Sequence, residues 1–207
     1  MGKFVIFGAG GRAGTQAVAE ARRRGHEVTA VVRDPSRYSG VVDGVQVVAG
    51  DVTDAADVAS LAVGHDAAIN AAVLITPDTF FTSAAHALVK GLQQAGVNRL
   101  VAVGLASLLS GADGTRLLDA PDFPAEFRPF CLGHAAGLEV LRTDGGALDW
   151  VYISPAGDFD HDGERSGRYA IRDHGDMTLR ISYADFAIAL LDESEPPQHH
   201  HNHLAVT

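Results

Sequence analysis

A single cysteine, Cys131, excludes an intramolecular disulfide from this chain of 207 residues. No base stands beside it in the sequence, so the thiol reads as a small core residue rather than a nucleophile. Basic residues are in deficit, with 16 Lys and Arg against 26 Asp and Glu and a formal net charge of −10. That balance opposes attraction to nucleic-acid phosphates and to anionic lipid. No apolar run is long enough to span a bilayer, because Ala-rich stretches such as 54–63 are interrupted by charges at helical spacing. The apolar run after Met1-Gly2-Lys3 is too brief for a signal peptide. The expectation is a cytoplasmic protein with neither a nucleic-acid nor a membrane partner. Hydrophobic residues make up 46% and charged residues 20%, which excludes a disordered or collagen-like chain and fits one globular domain over 1–207.

What is present alternates between two periodicities. β-Branched and aromatic residues dominate Lys3 to Phe7, glycines stop the run at Gly8 to Gly11, and residues 12–24 favour helix up to Gly25. Glu27 to Val32 reads as a second strand broken by Asp34-Pro35-Ser36, completing a βαβ unit. Three alternations follow: strand 45–48 with helix 54–63, strand 67–72 with helix 78–95, and strand 99–104 with a loop. The pattern predicts the α/β class, a single-domain Rossmann-type doubly wound parallel sheet. Residues 105–129, with Gly111, Gly114, Pro121, Pro124 and Pro129, exceed an ordinary connection and form a candidate lid. A helix from about Phe130 to Thr143, a sixth strand from Leu148 to Ile153 and a short extra strand within 168–172 come next. Ser182 with Asp185 then opens an amphipathic helix, so the C-terminal part reads as a small substrate-side extension. The tail 194–207 is polar and closes on a short strand at Leu204-Ala205-Val206.

Chemistry concentrates in Gly8-Ala9-Gly10-Gly11-Arg12-Ala13-Gly14, placed between the first strand and the first helix. A dinucleotide pyrophosphate needs close backbone approach and N–H donors at a helix N-terminus. Side chains at Gly8 or Gly11 would obstruct that approach, while Gly14 would let the helix pack on the sheet. In that strand-turn-helix context the motif points to a bound dinucleotide. Where NAD-preferring sites end the second strand on an acidic residue for the ribose 2′-hydroxyl, Val31-Val32 is followed here by Arg33. A guanidinium suits a 2′-phosphate, with Arg12 or Arg37 in support, so NADP(H) is favoured over NAD(H). The competing arrangement has Asp34 rotating in to serve NAD. Asp51-Val52 is placed either at the adenine edge or as a helix cap. Asn70-Ala71-Ala72 supplies either small residues beside the cofactor backbone or a packed turn.

These residues, with Val28-Thr29-Ala30-Val31-Val32-Arg33-Asp34-Pro35-Ser36-Arg37, Gly50-Asp51-Val52-Thr53-Asp54 and Ile181-Ser182-Tyr183-Ala184-Asp185-Phe186-Ala187, resemble the atypical short-chain dehydrogenase/reductase group with NAD(P)H-binding, NmrA-like domains. The resemblance covers nearly the whole chain and is nearest to biliverdin-IXβ/flavin reductase-like members. It implies a single Rossmann-type domain, NADPH binding, and either reduction of flavins and similar conjugated acceptors or a non-catalytic sensing role with a protein partner. Two departures limit it. Classical members of the wider superfamily carry Tyr-x-x-x-Lys where this chain reads Phe130-Cys131-Leu132-Gly133-His134, and phenylalanine transfers no proton. Flavin reductase-like members place an imidazole after the sixth-strand proline, where this chain has Pro155-Ala156-Gly157.

The remaining polar residues divide between site and scaffold. Ser107 is a hydrogen-bond partner for acceptor or nicotinamide, or an ordinary loop hydroxyl. His134 is a proton donor near the missing pair, or a partly buried histidine with a backbone partner. Tyr152 and Tyr183 read as aromatic core or rim. His199 to His203 lack a paired cysteine or a helical metal-ligand frame, so the cluster reads as a hydrogen-bonding surface, with no metal expected. Hydride transfer to a flavin or quinone relies mainly on stacked geometry, since protons come from water. Ala156 and Gly157 are expected to leave room over the nicotinamide for such a flat ring. The sequence thus favours an NADPH-dependent reductase of a small planar electron acceptor, a flavin included, over an NADP(H)-sensing regulator.

Overall fold

In the computed structural model, residues 1–76 and 79–207 are described; the helix start expected at Asp78 lies outside them. The chain runs β1 (Lys3–Phe7), α1 (Arg12–Arg23), β2 (Glu27–Val32), β3 (Val45–Ala49), α2 (Ala55–Ala62), β4 (Ala67–Asn70), α3 (Phe80–Ala95), β5 (Arg99–Val103), α4 (Arg128–Asp144), β6 (Asp149–Pro155), β7 (Asp158–Asp160), β8 (Ile171–Arg172), β9 (Arg180–Ser182), α5 (Tyr183–Ser194) and β10 (Asn202–Val206).

The main sheet is ordered β3-β2-β1-β4-β5-β6-β10-β8. Every neighbouring pair is parallel except β10 with β8, so the expected all-parallel sheet is in fact mixed at its C-terminal edge. β1 shows why the strands are apolar throughout. Phe4 and Ile6 join the core under α1 and α5, while Val5 and Phe7 join the core under α2, α3 and α4. Both faces are covered, and side chains that alternate between faces must all be apolar. Capping fixes the helix starts: Asp54 accepts from the N–H groups of Ala56 and Asp57 at α2, and the Ser182 hydroxyl accepts from Asp185 N at α5.

The C-terminal part departs furthest from expectation. The extra strand expected within 168–172 shrinks to Ile171–Arg172 and pairs antiparallel with β10. A second, two-stranded parallel sheet joins β7 to β9. The stretch 105–129 is a tied-down loop up to residue 127, with three 3₁₀ turns at Ala106–Leu108, Leu117–Asp119 and Ala125–Phe127, and it enters α4 at Arg128. Leu118 is fully buried, Leu117 N donates to Leu109 O at 2.9 Å, and Gly175 N donates to Ser110 O at 2.8 Å. Among the described residues no helix is long and apolar enough to cross a membrane.

Candidate functional site

Strand order reverses between β1 and β4, and ligands of open α/β sheets bind in the crevice beyond the carboxyl ends of such a pair. The glycine turn lies there. Gly8 adopts φ +74°, and a Cβ on it would stand 2.4 Å from the backbone of Ala72 at the end of β4. A Cβ on Gly14 would stand 2.2 Å from the Gly8 carbonyl oxygen. Packing therefore dictates both glycines. Gly10 and Gly11 differ, because a Cβ there would meet Val32 Cγ1 at 3.5 Å and Gly8 O at 3.4 Å, ordinary contacts. Both line an open cleft, so close packing of the fold does not explain their lack of a side chain. The turn is held by the Val31 carbonyl, which accepts from both Gly8 N (3.1 Å) and Ala9 N (3.2 Å). Gly11 is the N-cap of α1, and no acceptor among the described residues receives the first N–H groups of that helix, at Arg12, Ala13 and Gly14. Such donors at a helix start are what a phosphate needs.

The cleft has a volume of about 650 Å³. Arg33, Arg37 and Tyr38 border it after β2, Asp51 and Val52 after β3, and Ala71, Ala72, Val73 and Leu74 after β4. Arg33 and Arg37 are exposed, and neither guanidinium makes an ion pair or hydrogen bond among the described residues. Asp34 also borders the cleft, but its Oδ1 accepts from Ser36 N (3.1 Å) and Ser36 Oγ (2.6 Å). Those bonds and nearby Arg37 hold its carboxyl below the usual range. Asp51 Oδ1 likewise accepts from Thr53 N (2.9 Å) and Thr53 Oγ1 (2.7 Å), which lowers its pKa, with Arg33 adding to the effect. A glycine turn without side chains, free helix donors and two unpaired guanidiniums suit the phosphates of a dinucleotide.

That geometry agrees with the family match, which covers residues 8–194. The chain belongs to the NAD(P)H-binding family. Among relatives of this NAD(P)H-binding protein, YwnB of Bacillus subtilis is 37% identical in an alignment of 217 positions, spanning 99% of this chain and 97% of that protein. A candidate epimerase from Bacteroides thetaiotaomicron is 34% identical with a TM-score of 0.87, over 99% of this chain and 96% of that one. A candidate NADH-flavin reductase from Streptococcus pneumoniae is 35% identical with a TM-score of 0.83, over 100% and 99%.

Other residues singled out in the sequence lie apart from the cleft. The Arg12 guanidinium is hydrogen-bonded to His161 Nδ1. Asn70 accepts from Ala72 N at 3.2 Å and borders a separate cavity of about 30 Å³ together with Phe81, His134 and Tyr152. His134 is buried, and its Nδ1 lies 2.8 Å from the Tyr152 hydroxyl instead of a backbone group. Burial pushes its pKa down to about 3 and pushes the Tyr152 phenol up. Ser107 follows β5 and is buried, and its Oγ has no hydrogen-bond partner among the described residues. Cys131 is buried. No residue of 105–129 lines the cleft.

One expectation needs correcting. Gly157 does not open space for a flat ring, because a Cβ there would meet the carbonyl oxygens of Leu179 (2.3 Å) and Asp176 (2.4 Å). Ala156 is buried in a small cluster with Leu109 and Ala205. The segment before β9 fills that place. In the histidine cluster each residue has its own hydrogen-bond partner: His199 Nδ1 lies 2.6 Å from Glu193 Oε1, His200 pairs with Asp149, His201 with Leu148 O and His203 with Ser154 Oγ. Tyr38, Val73, Leu74 and Phe80 line the cleft without having been singled out. Only their places, just beyond strand ends or at a helix start, pointed to them.

Proposed function

We propose that this NAD(P)H-binding protein is an NADPH-dependent reductase that passes hydride to a small planar acceptor such as a flavin or quinone. The observation that carries the reading is the cleft beyond β1 and β4, where Gly10 and Gly11 leave room at the start of α1 and Arg33 and Arg37 stand unpaired among the described residues. In this reading Gly10, Gly11 and the first N–H groups of α1 bind the pyrophosphate, and Arg33 with Arg37 binds the 2′-phosphate. Asp51 and Val52 face the adenine, and Ala71 and Ala72 give the chain of the cofactor room. The dinucleotide, when bound, supplies the hydride. Ser107 Oγ, buried outside the cleft, takes no part in this reading.

Proton supply favours a conjugated acceptor. Phe130 has no proton to give, and His134, neutral far below physiological pH, is a poor acid. Flavins and quinones take hydride and gather protons from water, whereas secondary alcohols and simple ketones need a positioned acid or base. The name of the Streptococcus relative supports the flavin arm, although it specifies NADH where Arg33 argues for the phosphorylated form. The epimerase name of the Bacteroides relative finds no support in Phe130 and His134. NADPH oxidation, followed with and without oxygen across flavins, quinones, tetrapyrroles and simple ketones, tests the proposal. Turnover with flavins or quinones alone is expected. Tight NADPH binding with no turnover on any acceptor would make the protein a sensor of the NADPH/NADP+ ratio.

A further inference from the structure

The acidic residue after Arg33 is the element of the cleft whose role is least obvious. A carboxylate at the end of the second strand is the usual ligand of an unphosphorylated ribose, and it repels a 2′-phosphate. Here Asp34 is turned to other partners. One of its oxygens accepts both the amide and the hydroxyl of Ser36, at 3.1 and 2.6 Å, and it caps the 3₁₀ turn Pro35–Arg37. The same turn is closed by Arg37 N donating to Asp34 O at 3.1 Å and Tyr38 N donating to Pro35 O at 3.2 Å. Pro35 fixes its own φ within it. Arg37 and Tyr38, which this turn delivers, both line the cleft. Tyr38 is half-buried, and its hydroxyl lies 3.4 Å from Val41 O.

We propose that Asp34 and Ser36 are positioning residues for cofactor choice: the capped turn holds Arg37 and Tyr38 in the cleft wall and keeps the Asp34 carboxylate off the ribose. The inference rests on the NADPH reading and adds to it the device that stops an acidic residue at the specificity position from selecting NADH. Three features support it: the double acceptance by one oxygen, the closure of the turn by its own backbone bonds, and the absence of any ion pair from Asp34 to Arg33 or Arg37 among the described residues. An Asp34 poised for ribose would instead leave both carboxylate oxygens open to the cleft.

Calorimetry with 2′,5′-ADP and 5′-ADP separates the 2′ contribution from the rest of the dinucleotide. Loss of a side-chain cap costs enough to predict about fivefold weaker 2′,5′-ADP binding for Asp34→Ala and for Ser36→Ala, with 5′-ADP unchanged or tighter. Asp34→Asn keeps a capping oxygen and is expected to retain the wild-type ratio between the two probes. Retention by Asn with loss by Ala identifies the cap, not the charge, as what matters. The inference is overturned if Asp34→Ala binds 2′,5′-ADP as the wild type does, or if Asp34→Asn loses as much as Asp34→Ala. A wild type that does not prefer 2′,5′-ADP to 5′-ADP would remove the NADPH reading itself. Circular dichroism of each variant confirms the fold, which this exposed turn does not support.

Discussion

The Tyr152 hydroxyl lies 2.8 Å from Nδ1 of His134, beneath the Phe81 ring, whose centroid is 3.7 Å from that of the imidazole. A histidine enclosed in this way is neutral in the folded protein and ready to protonate once unfolded. Its folded pKa of about 3 is below the ordinary 6.5, so the unfolded state binds more protons as pH falls through that interval. The associated stability is complete above about pH 6.5 and is lost progressively toward pH 3, by up to about 1.4 kcal/mol per pH unit. His203, lowered to about 4 by burial and by Arg142, acts in the same direction. His134→Gln should narrow the difference in stability between pH 6.5 and 4.5 by about 2 kcal/mol, measured by urea unfolding. An unchanged difference would mean that His134 titrates normally.

Acceptor reduction should survive loss of this imidazole. His134→Ala is expected to keep most flavin- or quinone-reducing activity in the fraction that remains folded, since the reaction draws its protons from solvent. Loss of kcat in a folded variant would reinstate the histidine as the acid.

Gly11→Asp should abolish dinucleotide binding and leave the sheet intact, because the cleft accommodates a side chain there but a carboxylate faces the place of the pyrophosphate. Gly14→Ala should instead damage folding, since its Cβ would lie 2.2 Å from Gly8 O. Calorimetry with NADPH and thermal unfolding distinguish the two. Unchanged affinity in folded Gly11→Asp would place the nucleotide elsewhere.

Arg33→Ala should bring the affinities for NADPH and NADH together. A charge-assisted hydrogen bond contributes about 1.5–3 kcal/mol, roughly one to two decades. Equal binding of the two cofactors by the wild type would refute the assignment.

Ser107→Ala should raise stability, or leave it unchanged, and should leave turnover unaffected, because the hydroxyl lies outside the cleft. The hydroxyl is buried and unpartnered, so removing it relieves a cost of about 1–3 kcal/mol. Paired thermal melts and steady-state rates with a flavin acceptor check this; a loss of stability would reveal a structural hydrogen bond at that oxygen.

The first six strands and the glycine turn were legible because their signals are local: Phe4-Val5-Ile6-Phe7 is apolar on both faces, and a run of glycines can only be a turn. The second sheet was not. Asp158-Phe159-Asp160 has two exposed acids and one aromatic, and it becomes a strand through pairing with β9 and the stacking of Phe159 on Tyr183, whose ring centroids are 4.0 Å apart. The glycine at 157 was legible as small but not as to why, since Leu179 and Asp176 reach it from about twenty residues away. Tyr38 and Leu74 belong to the cleft wall only because a turn and a strand end meet there. Of the histidines adjacent at 199–201 and 203, only His203 lies in β10, and each has a separate partner that no sequence pattern marks.

The shared carbonyl of Val31 has a mechanical consequence. Two residues before Arg33, it accepts the amides of both Gly8 and Ala9, so the glycine turn is bolted to the end of the strand that leads into Arg33. Neither half can slide without dragging its counterpart. In the proposed binding mode, discrimination between related ligands is left to side chains mounted on a stiff frame, and exchanging one coenzyme for another would require new residues at the rim with no rebuilding beneath.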